Sequence, residues 1–424
     1  MRSLAVLVFS LVCFGQSTEE AFRKYWSAPS PTAAAKAASD IVKSGVSFEE
    51  AWRRLKAGRT YAPAKSGVER FTQATGRFSE HFYSVNIPEN YDPSKKYQLR
   101  FQLHGGVGRR SDNKPRGTGE IGTLAGAEQF YVLPYSWDES PWWGEDQVEN
   151  LVGIADAVRR KYNIDENRIV VSGVSDGGTG AYYLAMRETT PFAGFLPLNG
   201  YIMVISNSEI DDGRVYPNNL RNKPLFVVNG GLDRLYPLSA TEPYTRHLMR
   251  GGVTIDYHPQ PNGEHNTRWW PEVKDDFESF VTSHAREPHP ASITWETSGK
   301  SHTRAHWLVI DALGAAAGES RSLPDLNVWR GPETLFTRAA SSGRVDISRK
   351  GNLIEASTRN VNAFTVLLSP DVFDFDQPVR VVANGREVFN GRVTRDVKTL
   401  LKWAAKDNDR SMLYGAEIAV KLLK

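Results

Sequence analysis

The chain has 424 residues, 40% of them hydrophobic and 24% charged, enough to bury more than one core and too many for one ordinary domain. Its formal charge is +3, with acidic and basic residues interspersed, which excludes the basic face that a nucleic-acid binder needs. Cys13 is the one cysteine, so disulfide frameworks and thiolate metal sites are excluded from any chain cut after it.

The first element is a leader. Met1-Arg2-Ser3 followed by the apolar run Leu4 to Phe14 has the charged start and short apolar centre of a secretory signal peptide, with cleavage expected near Gly15 to Ser17. Lipid attachment at Cys13 is disfavoured, because Val12 and Phe14 beside it are bulky. Residues 1–17 are therefore read as a signal peptide and the product as secreted or periplasmic. No later run reaches the ~18 apolar residues of a membrane span.

Residues 18–75 are predicted to form an N-terminal helical segment, with Ala33 to Val42 rich in alanine and Ser47-Phe48-Glu49-Glu50 resembling a capped helix start. From about Phe78 short strands alternate with helices, as in a largely parallel sheet. Predicted strands are Leu99 to Leu103, Phe130 to Leu133, Ile169 to Val171, Phe192 to Leu198, Pro224 to Val228 and Val253 to His258. Between them, Val148, Leu151, Val152, Ala155, Val158 and Tyr162 recur at helical spacing over Gln147 to Tyr162 and predict a helix packed on the sheet. The domain is expected over residues 76–285. Arg286-Glu287-Pro288-His289-Pro290 reads as a boundary, and residues 291–424 as a β-sandwich-like accessory domain. Within it Asn384-Gly385 between strand-like runs signals a hairpin, and one helix is predicted near Val397 to Ala405. There is no internal repeat.

Gly173-Val174-Ser175-Asp176-Gly177-Gly178 follows the buried strand Ile169 to Val171 and precedes a helical stretch. A Gly-x-Ser-x-Gly alone says little in a chain with 35 glycines; its place between strand and helix gives it weight, because a sharp turn there presents the serine above the sheet. Acyl transfer also needs two amide donors for the oxyanion. The amide of Asp176 is one candidate. Leu103-His104-Gly105-Gly106-Val107-Gly108 offers the other, Gly106 first and Val107 second. A serine further needs a base and an orienting acid, in the order Ser, acid, His. Asp233 follows the strand Pro224 to Val228 and His265 follows the strand Val253 to His258. Rivals for the base are His247, His258 and His284, and for the acid Asp211, Asp212 and Glu242. Each of these sits where packing, surface pairing or helix capping explains it.

Residues from about Phe78 to Phe280 resemble the α/β-hydrolase superfamily, in particular exported bacterial esterases related to feruloyl esterases, polyhydroxybutyrate depolymerases and dienelactone hydrolases. The matching pieces are His104-Gly105-Gly106, the run Gly173 to Gly178, Asp233 after its strand, and Gly263-Glu264-His265. The resemblance implies an α/β-hydrolase sheet with flanking helices and a serine esterase using Ser175, Asp233 and His265, with no metal or cofactor. The expected partner is a small-molecule or polysaccharide-linked ester.

His104, Trp142 and Trp143 are candidate substrate contacts, and Trp137, Trp269 and Trp270 are further aromatics beside the catalytic loops. Arg109, Arg110, Lys114 and Arg116 form a basic loop next to the candidate oxyanion donors. Two features depart from the family pattern. Gln98, Arg100 and Gln102 alternate with apolar residues in a strand that should be apolar throughout, so one of its faces is expected to be wet or covered by the N-terminal helices. The disulfides common in exported relatives are also missing. Two other functions remain open at this point: a peptidase like the prolyl oligopeptidases, although no propeller repeat is visible, and a catalytically inactive polysaccharide-binding protein.

Overall fold

The computed structural model describes residues 18–108, 119–206, 213, 215–315, 326–328, 331–333, 336 and 340–422. The leader with Cys13, the basic loop of Arg109, Arg110, Lys114 and Arg116, and the rival carboxylates Asp211 and Asp212 lie outside the described residues. No described helix is long and apolar enough to cross a membrane.

Eight strands form the main sheet: β1 (Gly67–Gln73), β2 (His81–Ile87), β3 (Tyr97–Leu103), β4 (Phe130–Pro134), β5 (Ile164–Val174), β6 (Gly194–Leu198), β7 (Leu225–Gly230) and β8 (Ile255–Gln260). Their spatial order is β1-β2-β4-β3-β5-β6-β7-β8, parallel from β4 to β8 with β2 antiparallel to both of its neighbours. The sheet begins inside the segment expected to be helical up to residue 75. Strand β1 escapes a sequence reading because its burial is mixed: as an edge strand it covers little apolar surface and has a weak alternating pattern.

Side chains alternate across the parallel strands, so each strand feeds two cores. Phe101, Val171, Phe195 and Val227 pack with Val148, Leu151, Ala181, Leu184 and Leu248 from helices α4 (Glu145–Lys161), α5 (Asp176–Arg187) and α6 (Leu238–Arg250). Val170, Leu196, Phe226 and Val228 pack on the other face with Val273, Phe277 and Phe280 of α7 (Trp270–Ser283). Helix α4 carries Glu145 and Asp146 in its first turn and Arg159, Arg160 and Lys161 in its last, charges that suit the helix dipole at each end.

The polar face of β3 is neither wet nor covered by the N-terminal helices; α7 lies over it. Arg100 is fully buried, donating to Ser172 Oγ at 2.9 Å, Leu124 O at 3.1 Å and Gln102 Oε1 at 3.0 Å. Its guanidinium stacks 4.4 Å from the Phe277 ring. Burial pushes the Arg100 pKa down to about 10, which still leaves it charged at neutral pH.

The N-terminal helices, α1 (18–26), α2 (Pro31–Lys43) and α3 (Phe48–Ala57), pack elsewhere. Ser47 Oγ caps α3 by accepting from the Glu50 amide at 3.2 Å. Ala21, Phe22, Ile41 and Leu55 share a core with Leu400, Leu401 and Ala404 of α8 (Val397–Asp407), a helix of the C-terminal region. That region is sheet-rich and separate from the main sheet. A five-stranded and a four-stranded sheet face each other across one core, with Trp295, Ile347 and Val381 from the first and Ile310, Phe364 and Ile418 from the second. Asn384 and Gly385 both adopt positive φ, 52° and 76°, between the paired Ala383 and Arg386, which is the tight turn their sequence signals.

The boundary segment is pinned. Arg286 donates to Asp409 Oδ2 at 2.7 Å, to Asn167 Oδ1 at 2.8 Å and to Thr190 O at 3.1 Å. Arg159 of α4 approaches the same Asp409 oxygen at 3.6 Å. A buried carboxylate shared by two arginines thus joins the main sheet's domain to the C-terminal region.

Candidate active site

β5 ends at Val174 and α5 begins at Asp176, so Ser175 alone makes the turn, with φ 56° and ψ −118°. Positive φ costs a residue with a side chain on the order of 1–3 kcal/mol. The strain is held by the Ser175 amide, which donates to Leu198 O at 2.9 Å, and by the Ser175 carbonyl, which accepts from Thr179 N at 3.0 Å. The turn is so tight that a Cβ on Gly173 would lie 2.2 Å from the Gly177 oxygen.

Asp233 and His265 sit on loops after β7 and β8, and hydrogen bonds join these loops. Gly231 N donates to Gln260 O at 2.8 Å and Leu232 N to Gly263 O at 2.9 Å. Asp233 Oδ1 accepts from the amides of Leu235 at 2.8 Å and Tyr236 at 2.9 Å. Its Oδ2 lies 2.6 Å from His265 Nδ1, and His265 Nε2 lies 2.8 Å from Ser175 Oγ. The Asp233 side chain is fully buried. A carboxylate at Nδ1 requires the ring proton there, which leaves Nε2 as an acceptor for the Ser175 proton.

The rival side chains are engaged elsewhere. His247 is buried in α6, His258 stacks on Phe226 at 4.3 Å, His284 caps α7, and Glu242 pairs with Arg246 at 2.7 Å.

The His104 to Val107 loop runs against the serine. A Cβ on Gly105 would be 3.0 Å from Ser175 Cβ and 3.6 Å from its Oγ. Val107 N donates to Asp176 Oδ2 at 2.9 Å, so this amide is committed to the protein itself. Gly106, at φ 71°, lies between these two anchors. The Asp176 amide opens α5, where no carbonyl four residues back is available to it.

Two of the candidate substrate contacts make bonds within the protein. Trp142 is 1% exposed and donates through Nε1 to His104 O at 2.8 Å, so its ring belongs to the core. His104 has both ring nitrogens occupied, with Nδ1 3.0 Å from Gly105 O and Nε2 accepting from Ser136 N at 3.1 Å. Both residues brace the loop from behind. Trp137, Trp269 and Trp270 are buried as well, because large aromatics gain most by filling the space beneath the loops. Trp143 is half-buried against the main core.

Three side chains near the site lie outside the motifs read from the sequence. Tyr236 places its ring 5.4 Å from that of His265, edge to face, and 5.5 Å from Tyr201. Burial, then the charges of Asp176 and Asp233, push the Tyr236 phenol up, so it stays neutral. Asn199 takes φ 48° and donates from Nδ2 to Asn266 O at 2.8 Å, fixing the residue after His265. The Asn199-Gly200 pair after a strand was the available signal for that bend.

No family model matches the chain. A probable feruloyl esterase C from Aspergillus terreus is 27% identical over 158 residues, which cover 36% of this chain and 58% of the fungal protein. Over that stretch the chain is similar to this esterase. Solved structures similar to this chain include a thermostable esterase, 20% identical at TM-score 0.41, covering 52% of this chain and 63% of that one. A ferulic acid esterase is 19% identical at TM-score 0.39, covering 52% of this chain and 99% of its own.

Proposed function

We propose that this chain is an exported serine hydrolase of the α/β-hydrolase type that cleaves a carboxylic ester through an acyl-enzyme. The observation that carries the proposal is the hydrogen-bonded line from Ser175 Oγ through His265 to Asp233, at 2.8 and 2.6 Å. His265 Nε2 takes the proton as Ser175 Oγ attacks the carbonyl carbon, and Asp233 steadies the imidazolium that forms. The amides of Asp176 and Gly106 receive the oxyanion. The choice of Gly106 over Val107 follows from the hydrogen bond that Val107 N already makes to Asp176. The alkoxide leaves with the proton from His265, and water, deprotonated by the same nitrogen, releases the acid.

An ester rather than a peptide bond is favoured by the similarity to a protein named as a feruloyl esterase. Export is favoured by the apolar run Leu4 to Phe14 behind a charged start. The test is labelling with a fluorophosphonate beside hydrolysis of p-nitrophenyl esters and peptide anilides. Labelling that disappears in Ser175→Ala, with turnover of esters over anilides, is expected. Turnover of anilides alone would replace the esterase by a peptidase, and no labelling would leave a binding protein.

A further inference from the structure

Among the described residues the exposed large hydrophobics are Leu235 at 65%, Leu232 at 58% and Met249 at 42%. Two of the three therefore flank Asp233. Single exposed leucines are ordinary on a protein surface, but this pair is held in place. The Leu232 amide donates to Gly263 O at 2.9 Å and the Leu235 amide to Asp233 Oδ1 at 2.8 Å. The same carboxylate oxygen accepts from Tyr236 N, whose ring stands 5.4 Å from that of His265. The hydrogen bonds that fix the candidate acid also hold two leucines and a neutral phenol ring in one short loop beside the base.

We propose that Leu232, Leu235 and Tyr236 form an apolar subsite for the alcohol part of the ester, a proposal that rests on the serine-esterase reading above. The direction follows from the chemistry. In acylation the Ser175 Oγ–carbon bond forms and the carbon–alkoxide bond breaks, with the Ser175 proton passing through His265 Nε2 to the departing oxygen. The alcohol must therefore leave across His265, the side that carries Tyr236 and its loop. The carbonyl oxygen turns instead towards the amide of Asp176 and the loop from His104 to Val107. An alkyl or aryl alcohol fits the exposed Leu232 and Leu235; of the two charged residues between them Asp233 is buried and Arg234 is exposed.

The experiment uses two matched ester series on the full chain: acetate esters of methanol, butanol and octanol, and ethyl esters of acetic, butyric and octanoic acid. In the wild type kcat/KM is expected to rise along the alcohol series. In the double variant Leu232→Ser, Leu235→Ser the rise should flatten, on the order of tenfold between the shortest and longest alcohol. Its dependence on acyl length should stay parallel to the wild type's. A flattening of both series alike, or an unchanged alcohol series, would overturn the subsite. An unchanged alcohol series with an altered sedimentation coefficient would assign the leucines to contact between copies instead. If the wild type hydrolyses neither series, the esterase reading fails first, and the subsite with it.

Discussion

The carboxylate of Asp176 accepts a hydrogen bond from the amide of Val107 at 2.9 Å. One residue thus does two things: its amide opens α5 beside Ser175, and its side chain ties the loop holding Gly106 to the same turn. An oxyanion donor works only when it is positioned before the charge develops. Asp176→Ala should lower kcat by on the order of tenfold to a hundredfold with little change in KM. Asp176→Asn keeps an oxygen for Val107 N and should recover most of the rate. Equal rates in the two variants, measured on one short-chain ester, would remove the positioning role.

The line Ser175–His265–Asp233 predicts a graded loss. Ser175→Ala and His265→Ala should reduce kcat by on the order of 10⁶, and Asp233→Asn by on the order of 10⁴, because the last keeps both nucleophile and base but loses the charge that orients the ring. Circular dichroism and the thermal midpoint should stay near wild type in Ser175→Ala, since only a hydroxyl is removed. Identical kinetics in all three variants and wild type would refute the assignment.

Arg100 is a buried cation held by Ser172, Gln102 and the Leu124 carbonyl. Arg100→Leu removes the desolvated charge but takes one donor from each of those three groups under α7. The loss of stability should be about 2–4 kcal/mol, read as a shift in the urea midpoint at unchanged slope. A neutral result would mean that the apolar contacts of α7, not the guanidinium, hold that layer.

Asp409 links the two regions through Arg286 and Arg159. Burial alone would raise its pKa, but the charges of Arg286 and Arg159 outweigh burial and hold the carboxyl well below the usual range. A carboxyl whose folded pKa is depressed contributes its full stability above the unfolded value, about 4, and loses it as the pH falls toward the folded one. Asp409→Asn should therefore cost about 3–5 kcal/mol at neutral pH, because two buried arginines lose the carboxylate charge they share. Thermal midpoints measured from pH 7 to pH 2 should show the gap to wild type narrowing below about pH 4. A constant gap would show that Asp409 does not titrate as described.

Much of this protein was legible in its sequence, and for local reasons. Runs such as Ile169-Val170-Val171 and the helical spacing of Val148, Leu151, Ala155 and Val158 report burial through period alone. The Asn384-Gly385 turn and the Ser47 cap depend on a few adjacent residues. The pieces of the candidate site follow strands in chain order, so Ser175, Asp233 and His265 could be named before their loops were seen together.

What only the tertiary structure decided is which surface meets which. The period of the N-terminal helices says that one face is buried, but not that α8, far along the chain, covers it. The polar residues of β3 read as a face that is wet or covered by the N-terminal helices until α7 is seen over Arg100. Trp142 and His104 read as substrate contacts, and only the folded chain shows their polar atoms bonded within the protein. The Val107–Asp176 bond and the exposure of Leu232 and Leu235 leave no trace in local pattern. Periodicity records that a side chain leaves water, whereas its partner is set by chain segments brought close only on folding.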